Sequence, residues 1–346
     1  RLIFHPDPRA KTSPMEILER YTSRGMIDVD IWNATVVLGD AALSDERYEA
    51  MNPKQQTDYF RGRQQEFMRK CFLQLHSEGK WTWVTAHDID EYLIPNQHVQ
   101  AEEAIRIEVN GAADEATHPS RSSEAAIAES GTPAAAGSLP TFEHITMIEL
   151  LELGRQANIS STLSSPCVGF RRFLFGARET EEDIAASNST VFEGMPTAWQ
   201  QSKFITYRWN WRIPGDGTAM GKGIVDLSRV RPDVDLANFR SSNPHRPIKT
   251  ICPAAQAWRR ARESPLVMHH YIGDQQQFMF RDDPRTGMKV TRTIETFEKN
   301  KKESTALDKS AHGWLSGFVK DVGLERATAL LEGVGESYHT QRRRRR

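Results

Sequence analysis

The chain has 346 residues, of which 45 are Lys or Arg, 46 are Asp or Glu, and 38% are hydrophobic. This composition is typical of a globular protein with one large or two ordinary domains, and it excludes collagen, coiled coil and wholesale disorder. Five of the basic residues are Arg342–Arg346, so the rest of the chain has a net charge of −6. A mildly acidic body argues against nucleic acid as a partner, and the arginine run predicts a solvated basic tail over 332–346.

Residues 1–99 alternate between strand and helix patterns. The elements predicted in chain order are a strand at Leu2–Phe4, a helix that begins after Ser13 and ends at Gly25, an extended segment at Met26–Trp32, a helix over Asn52–Ser77 and a buried strand at Trp81–Ala86. Strands that alternate with helices favour an α/β fold whose central sheet is mostly parallel and flanked by helices. No apolar run approaches the roughly 20 residues of a membrane span.

Residues 100–140 are dominated by Ala, Glu, Ser, Gly and Pro, which predicts a flexible low-complexity insertion. Order is expected to resume over 141–331. The elements predicted there are a helix around Met147–Gln156, strands around Val168–Phe175, Lys203–Trp211 and Gly223–Val230, and helices over Trp314–Val322 and Glu325–Leu331. Tyr207, Trp209 and Trp211 alternate along one of these strands and so share one of its faces. Such a face could stack on a sugar ring, but packing in the core is the commoner explanation.

The three cysteines, Cys71, Cys167 and Cys252, match no CxxC metal spacing and cannot all pair. Cys71 falls within the pattern of the helix over Asn52–Ser77. A disulfide between Cys167 and Cys252 could therefore form in an oxidising compartment, although nothing in the sequence requires it.

Two carboxylates follow the buried strand at Trp81–Ala86. Asp88 and Asp90 are two residues apart, so in an extended segment their side chains lie on one face and repel each other. The carboxyl edge of a parallel sheet is also where α/β proteins bind ligands. Such oxygen ligands suit Mg²⁺ or Mn²⁺ that is held together with substrate phosphates. The alternative to a metal site is an acidic turn that caps the next helix.

The segment Asp88-Ile89-Asp90-Glu91-Tyr92-Leu93 follows a strand that contains tryptophan. It resembles the DxDEF/DxDEY box of glycosyltransferase family 92 and its family-2-like relatives, which have the GT-A fold. Further segments are similar in the same order along the chain. They are Leu2–Phe4 with Ser13 to Gly25, Gly169-Phe170, Phe175-Gly176, Gly221 to Asp226, His245-Arg246-Pro247 and His269-His270-Tyr271. The resemblance implies one GT-A-like Rossmann-type domain, with a nucleotide-sugar-binding half at 1–99 that lacks its first strand and an acceptor-side half at 141–331.

The resemblance implies a metal-dependent hexosyltransferase that moves a sugar from a nucleotide-sugar, most often a UDP-sugar and with UDP-galactose as one candidate, to a glycan acceptor with inversion. Asp88 and Asp90 would hold Mn²⁺ or Mg²⁺, completed by His270 or, failing that, His269. A histidine hydrogen-bonded within the core is the alternative for each. The donor would also meet Glu91. Basic residues that could neutralise its phosphates are Lys222, Arg171, Arg172 and Lys203, and a solvated position is the commoner alternative for each. His245 is expected in a turn.

Inversion requires a general base, and three carboxylates are candidates: Glu193, Asp226 and Asp274. For Glu193 and Asp226 the commoner role of such a residue is an ordinary surface or capping carboxylate. In the family the closing histidine-tyrosine motif continues with Ser and Glu, whereas this chain has Ile272-Gly273-Asp274. This departure weakens the resemblance in the part of the expected site that would bind the acceptor.

Two other functions compete with the transferase. A haloacid-dehalogenase-like phosphatase would use the first Asp of the pair as nucleophile and the second as general acid. A non-catalytic relative would bind glycan or nucleotide without transfer. The resemblance further implies a location in the Golgi lumen or secretory pathway, as a single-pass membrane protein whose anchor lies outside this sequence.

Overall fold

A computed structural model of the chain describes residues 1–6, 14–96, 148–149, 151–152, 165–186, 199–215, 218–236, 244–252, 266–280 and 292–332. The expected insertion at 100–140, most of the basic tail, Ser13 and Glu193 lie outside these residues. Helices and a mixed sheet make up the described chain, so the α/β character is confirmed in its general form. Within the described residues, no helix is both long and apolar enough to cross a bilayer.

The chain opens with a strand–helix–strand unit. Strand β1 (Leu2–Phe4) pairs in parallel with β2 (Val29–Ile31), and helix α1 (Met15–Ser23) connects them. Gly25 follows α1 with a φ of +62°, a conformation that glycine adopts without the strain of a Cβ. The prediction of an opening α/β unit is confirmed.

Three helices follow β2: α2 (Ala34–Leu38), α3 (Asp45–Glu49) and the long α4 (Pro53–Glu78). Helix α4 begins with a capping box, in which Asn52 accepts the Gln55 N–H and the Gln55 side chain accepts the Asn52 N–H. It ends at Gly79, which has a left-handed conformation. The predicted bounds of this helix agree with the structure because both end signals are local.

The second sheet is antiparallel-dominated, and the prediction of a mostly parallel sheet is wrong. Its strands are β3 (Trp83–Thr85), β4 (Glu91–Pro95), β5 (Cys167–Phe175), β6 (Trp211–Arg212), β7 (Thr218–Asp226), β8 (Leu266–Tyr271) and β9 (Ala306–Leu307). Among its described pairings only β5–β8 is parallel. β3 and β4 each pair with a strand from the second half of the chain, β7 and β8 respectively, and both pairs are antiparallel.

Arg172 of β5 is aligned with Thr218 of β7 on one side and with Met268 of β8 on the other. The order is therefore β4–β8–β5–β7–β3, with β6 at the end of β5 and β9 beside β6. The pairings make β3, β5 and β8 point the same way, although β7 lies between β3 and β5. The end of β3 is level with the start of β5, since Thr85 and Val168 are both aligned with Ile224 of β7. Residues 86–90 lead from there to β4, and the Tyr271 N–H at the end of β8 donates to the Asp90 carbonyl over 3.1 Å.

Further α-helices in the described part of the chain are α5 (Glu181–Ala186), α6 (Ile205–Arg208), α7 (Gln275–Phe280), α8 (Ile294–Glu303), α9 (Trp314–Val322) and α10 (Leu324–Leu330). The predicted helices at the C-terminal end are confirmed. The predicted strand over Lys203–Trp211 is wrong, because α6 occupies its centre and only its last residue is in a strand. Tyr207 and Trp209 are buried, which confirms core packing for these two aromatic residues.

A disulfide joins Cys167 of β5 to Cys252 in the loop before β8. It lies in an apolar cluster that packs α4 against β5 and β7 through Met68, Phe72 and Val225. The bridge that the sequence left open is thus formed. Burial raises the pKa of the remaining thiol, Cys71, to about 12.

We expect Cys71 to resist alkylation in the folded protein at pH 8, because a thiol with so high a pKa carries almost no thiolate. Intact-mass measurement after iodoacetamide should show no adduct in the native protein and one adduct in guanidinium. Reduction should then raise the number to three. Three adducts in guanidinium without reductant would contradict the disulfide, and a native adduct would contradict the burial of Cys71.

His312, between β9 and α9, is a half-buried neutral base. Its Nε2 lies 2.6 Å from Asn210 Oδ1, its ring stacks on Tyr207 at 4.5 Å, and burial lowers its pKa to about 4. The pKa in the unfolded chain is higher, so between pH 6.5 and 4 the unfolded state binds more protons. The stability due to neutral His312 is complete above pH 6.5 and is lost as the pH falls towards 4.

We expect the free energy of unfolding to decrease by about 1–2 kcal/mol over this range, less than the full pKa difference implies because the ring is only half-buried. Urea titrations at pH 7 and 4.5 would measure the decrease. The His312→Gln variant keeps an N–H donor towards Asn210 and does not titrate. An equal pH dependence in this variant and the wild type would assign the effect to other groups.

Candidate functional site

The sharpest sequence feature, the Asp88–Glu91 segment, forms a turn at the carboxyl end of β3. The Glu91 N–H donates to the Asp88 carbonyl over 3.1 Å, and the Glu91 carboxylate accepts the Asp88 N–H over 2.9 Å. The Asp88 side chain is 52% exposed and the Asp90 side chain 20%. The turn therefore presents Asp88 to solvent and directs Glu91 inwards.

Glu91 is the centre of a buried ion-pair network. Its Oε2 is 2.9 Å from Lys222 Nζ, its Oε1 is 3.5 Å from an Arg172 nitrogen, and the side chains of Glu91 and Lys222 are both fully buried. The Lys222 ammonium also lies 3.4 Å from Asp88 Oδ2. Three strands thus contribute to one network: β4 provides Glu91, β5 provides Arg172 and β7 provides Lys222.

The network lies on the face of the sheet that carries an apolar cluster. Phe170 and Met268, the register partners of Lys222 and Arg172, both belong to that cluster. Charges beside apolar side chains are poorly solvated, so each needs its partner to remain ionised at an acceptable cost. This environment makes Glu91 the anchor of the turn.

Asp90 has a different partner, His270. Its Oδ2 is 3.4 Å from His270 Nε2, and Glu91 and His270 are register partners on β4 and β8. His270 Nδ1 is buried with no hydrogen-bond partner among the described residues. His269 lies on the opposite face, fully buried, with Nδ1 3.1 Å from Tyr271 Oη. Of the two histidines proposed as a metal ligand, only His270 lies beside a carboxylate of the DxD pair.

The donors of the site suit a divalent cation in their chemistry, since carboxylate oxygens and an imidazole bind Mn²⁺. Their positions suit it in part: Asp90 and His270 are adjacent, whereas Asp88 contacts Lys222. Among the residues that the structure describes, no three His, Cys, Asp or Glu side chains are already arranged to hold a metal ion. A bound cation would take its ligands from Asp90, His270 and a reoriented Asp88.

His245 lies next to the ion-pair network, in the turn that the sequence indicates. Its Nδ1 is 3.0 Å from the Gly221 carbonyl. Burial lowers the pKa of His245, and the positive charge of Lys222 lowers it further. His245 is therefore a neutral neighbour of the cations at neutral pH, and its contact with β7 holds the strand beside Lys222.

The three candidate bases have separate locations. Asp226 is fully buried at the far end of β7, where its carboxylate accepts the Ser228 N–H, so the geometry favours its reading as a capping residue. Asp274 caps α7 by accepting the Gln277 N–H, and it follows β8 at the same edge as the turn. Glu193 lies outside the described residues.

Of the basic residues expected near the donor, Lys222 reaches the carboxylates. Arg171 lies on β5 in register with Val267, and its neighbour Arg172 is the arginine that meets Glu91. The sequence offered the pair Arg171-Arg172 without a local signal to separate them. Side chains alternate along a strand, so Arg172 lies on the same face as Phe170, the register partner of Lys222, and Arg171 lies on the other face.

A separate cleft of about 240 Å³ lies among α2, α3 and α4 and is lined by Asn33, Tyr48, Tyr59 and Arg63, among others. It shares no residue with the carboxylate turn. Comparisons of the chain with protein-family models, curated proteins and solved structures found no significant match. Functional conclusions therefore depend on the geometry of the turn and its partners.

Proposed function

We propose that the protein is a metal-dependent glycosyltransferase that uses a nucleotide-sugar, with a UDP-sugar as the first candidate, and a glycan acceptor. One observation carries the proposal. A turn with two adjacent carboxylates, Asp88 and Asp90, leads from the end of β3 to the end of β8, with the cations Lys222 and Arg172 directly behind it. Such a site has ligands for a divalent cation and positive charge for a diphosphate.

Transfer breaks the bond between the anomeric carbon and the diphosphate oxygen and forms a bond to the acceptor oxygen. Asp90, His270 and Asp88 would hold the divalent cation, which would supply positive charge against the leaving diphosphate. Lys222 adds a fixed positive charge from a site without solvent, where an ammonium acts strongly on a nearby phosphate. Arg172 on β5, which is 18% exposed, provides a second positive charge for the diphosphate.

The acceptor hydroxyl gives its proton to a general base on the other side of the sugar. Of the described candidates, Asp274 is the better placed, because it follows β8 at the edge that carries the turn. Its Oδ1 caps α7, at 2.7 Å from the Gln277 nitrogen. We therefore propose Asp274 as the base before Asp226, while Glu193 remains a candidate from the sequence.

A phosphatase of the haloacid-dehalogenase type is the second candidate, favoured by the 3.4 Å contact between Asp88 and a lysine. That class places its nucleophile on a strand inside a parallel sheet. Here β3 has one described neighbour, β7, and the pair is antiparallel. A non-catalytic nucleotide-binding protein would need the same turn, and only a transfer assay separates it from an enzyme.

The deciding experiment is calorimetric titration of UDP into the full chain, with Mn²⁺ and then with EDTA. Binding that requires Mn²⁺ supports the donor site, and a screen of UDP-sugars against glycan acceptors follows. Absence of binding in both buffers would contradict the proposal, and hydrolysis of phosphate esters would then test the phosphatase.

We further propose the Golgi lumen or secretory pathway as the location of the protein, because the disulfide fits an oxidising compartment.

A further inference from the structure

Lys222 has two carboxylate partners that differ in environment. Its contact with Glu91, at 2.9 Å, joins two fully buried side chains, whereas its contact with Asp88, at 3.4 Å, joins it to a side chain that is 52% exposed. Ion pairs with an exposed partner contribute about 0–1 kcal/mol, and separating a buried pair costs several times more. The Glu91 contact is therefore permanent and the Asp88 contact is exchangeable.

We propose that Lys222 exchanges partners during donor binding. It pairs with Asp88 while the site holds no donor, and with the diphosphate once the donor is bound, which releases Asp88 towards the metal ion. This inference rests on the proposed function. Its consequence is that metal and diphosphate bind together much better than the metal binds by itself.

The charges of the site explain this coupling. A divalent cation that arrives alone must take Asp88 from Lys222 and then stay close to the ammonium, which Glu91 holds in place. A diphosphate removes this opposition, because its oxygens replace the Asp88 carboxylate as partners of Lys222. Two ligands that each make the other's binding easier share one coupling free energy, so the effect is measurable from either side.

The test uses two variants, Lys222→Met and the double variant Glu91→Gln with Lys222→Met. The single variant leaves the Glu91 charge buried with Arg172 as its remaining cation, and it is at risk of unfolding. The double variant removes one charge of each sign and keeps an amide oxygen that accepts the Asp88 N–H. Lys54→Met, at an exposed position in the first turn of α4, is the matched control for removal of a lysine charge.

Mn²⁺ affinity is measured from the electron paramagnetic resonance of free Mn²⁺, with and without UDP, after correction for the Mn²⁺–UDP complex in solution. In the wild type and in Lys54→Met we expect UDP to strengthen Mn²⁺ binding at least about tenfold. In the double variant we expect Mn²⁺ alone to bind about fivefold tighter than in the wild type, because no ammonium beside Asp88 then repels the cation. The enhancement by UDP should fall below about threefold.

Circular dichroism identifies the variants that are folded, and the double variant decides the result if the single variant is not. Mn²⁺ binding that is no tighter without Lys222, or an unchanged enhancement by UDP, would overturn the partner exchange and leave the donor site intact. Failure of the wild type to bind UDP with Mn²⁺ present would instead contradict the proposed function. The two failures are therefore distinguishable.

Discussion

Asp88→Asn and Asp90→Asn should each weaken Mn²⁺-dependent UDP binding by about a hundredfold or more, with little change in the stability of the fold. Both substitutions keep the size of the side chain and remove its negative charge. Asp88 is half-exposed and Asp90 lies at the edge of the sheet, so neither supports the apolar core. Calorimetric titration of UDP with Mn²⁺ measures the effect.

Asp40→Asn is the control for this pair, since Asp40 is exposed in a turn before α3 and has no contact with the site. Its UDP affinity should equal that of the wild type. If both DxD variants bound UDP as well as Asp40→Asn does, the assignment of the donor site to this turn would be wrong. A loss in Asp90→Asn alone would keep Asp90 and His270 as the metal ligands and remove Asp88.

Glu91→Ala should lower the free energy of unfolding by about 3–5 kcal/mol, the largest change in stability that we expect from one substitution in this site. The substitution leaves Lys222 fully buried without its closest anion, and Arg172 without the carboxylate it meets on β4. It also removes the acceptor of the Asp88 N–H. Urea unfolding followed by tryptophan fluorescence measures the loss.

Glu91→Met combined with Lys222→Met should recover most of that stability, because neither member of the fully buried pair is then left without its partner, and Arg172 is 18% exposed. The same double variant should still bind UDP poorly, because the turn has lost its anchor and the phosphate its cation. A decrease below about 1 kcal/mol in Glu91→Ala would show that water reaches Lys222 and would contradict the buried network.

Elements that end at local signals were predictable from the sequence. The bounds of α4 follow from Asn52 and Gly79, and those of α1 follow from the start signal Ser13-Pro14 and from Gly25. Strand partners were not predictable in this way. The sequence placed β3 after a helix, which favoured a parallel sheet, but β3 pairs with β7 more than 130 residues later, and that pairing depends on tertiary contacts.

The candidate site was likewise predictable from the sequence only in part. The sequence by itself determined the position of the two carboxylates, because Asp88 and Asp90 directly follow a buried strand, and it indicated Lys222 and His270 from their motifs. Only the tertiary structure decided the pairs: Lys222 with Glu91, Arg172 with the same carboxylate, and His270 with Asp90. The physical reason is that these partners come from strands far apart in the chain, whose register sets which charges are buried together.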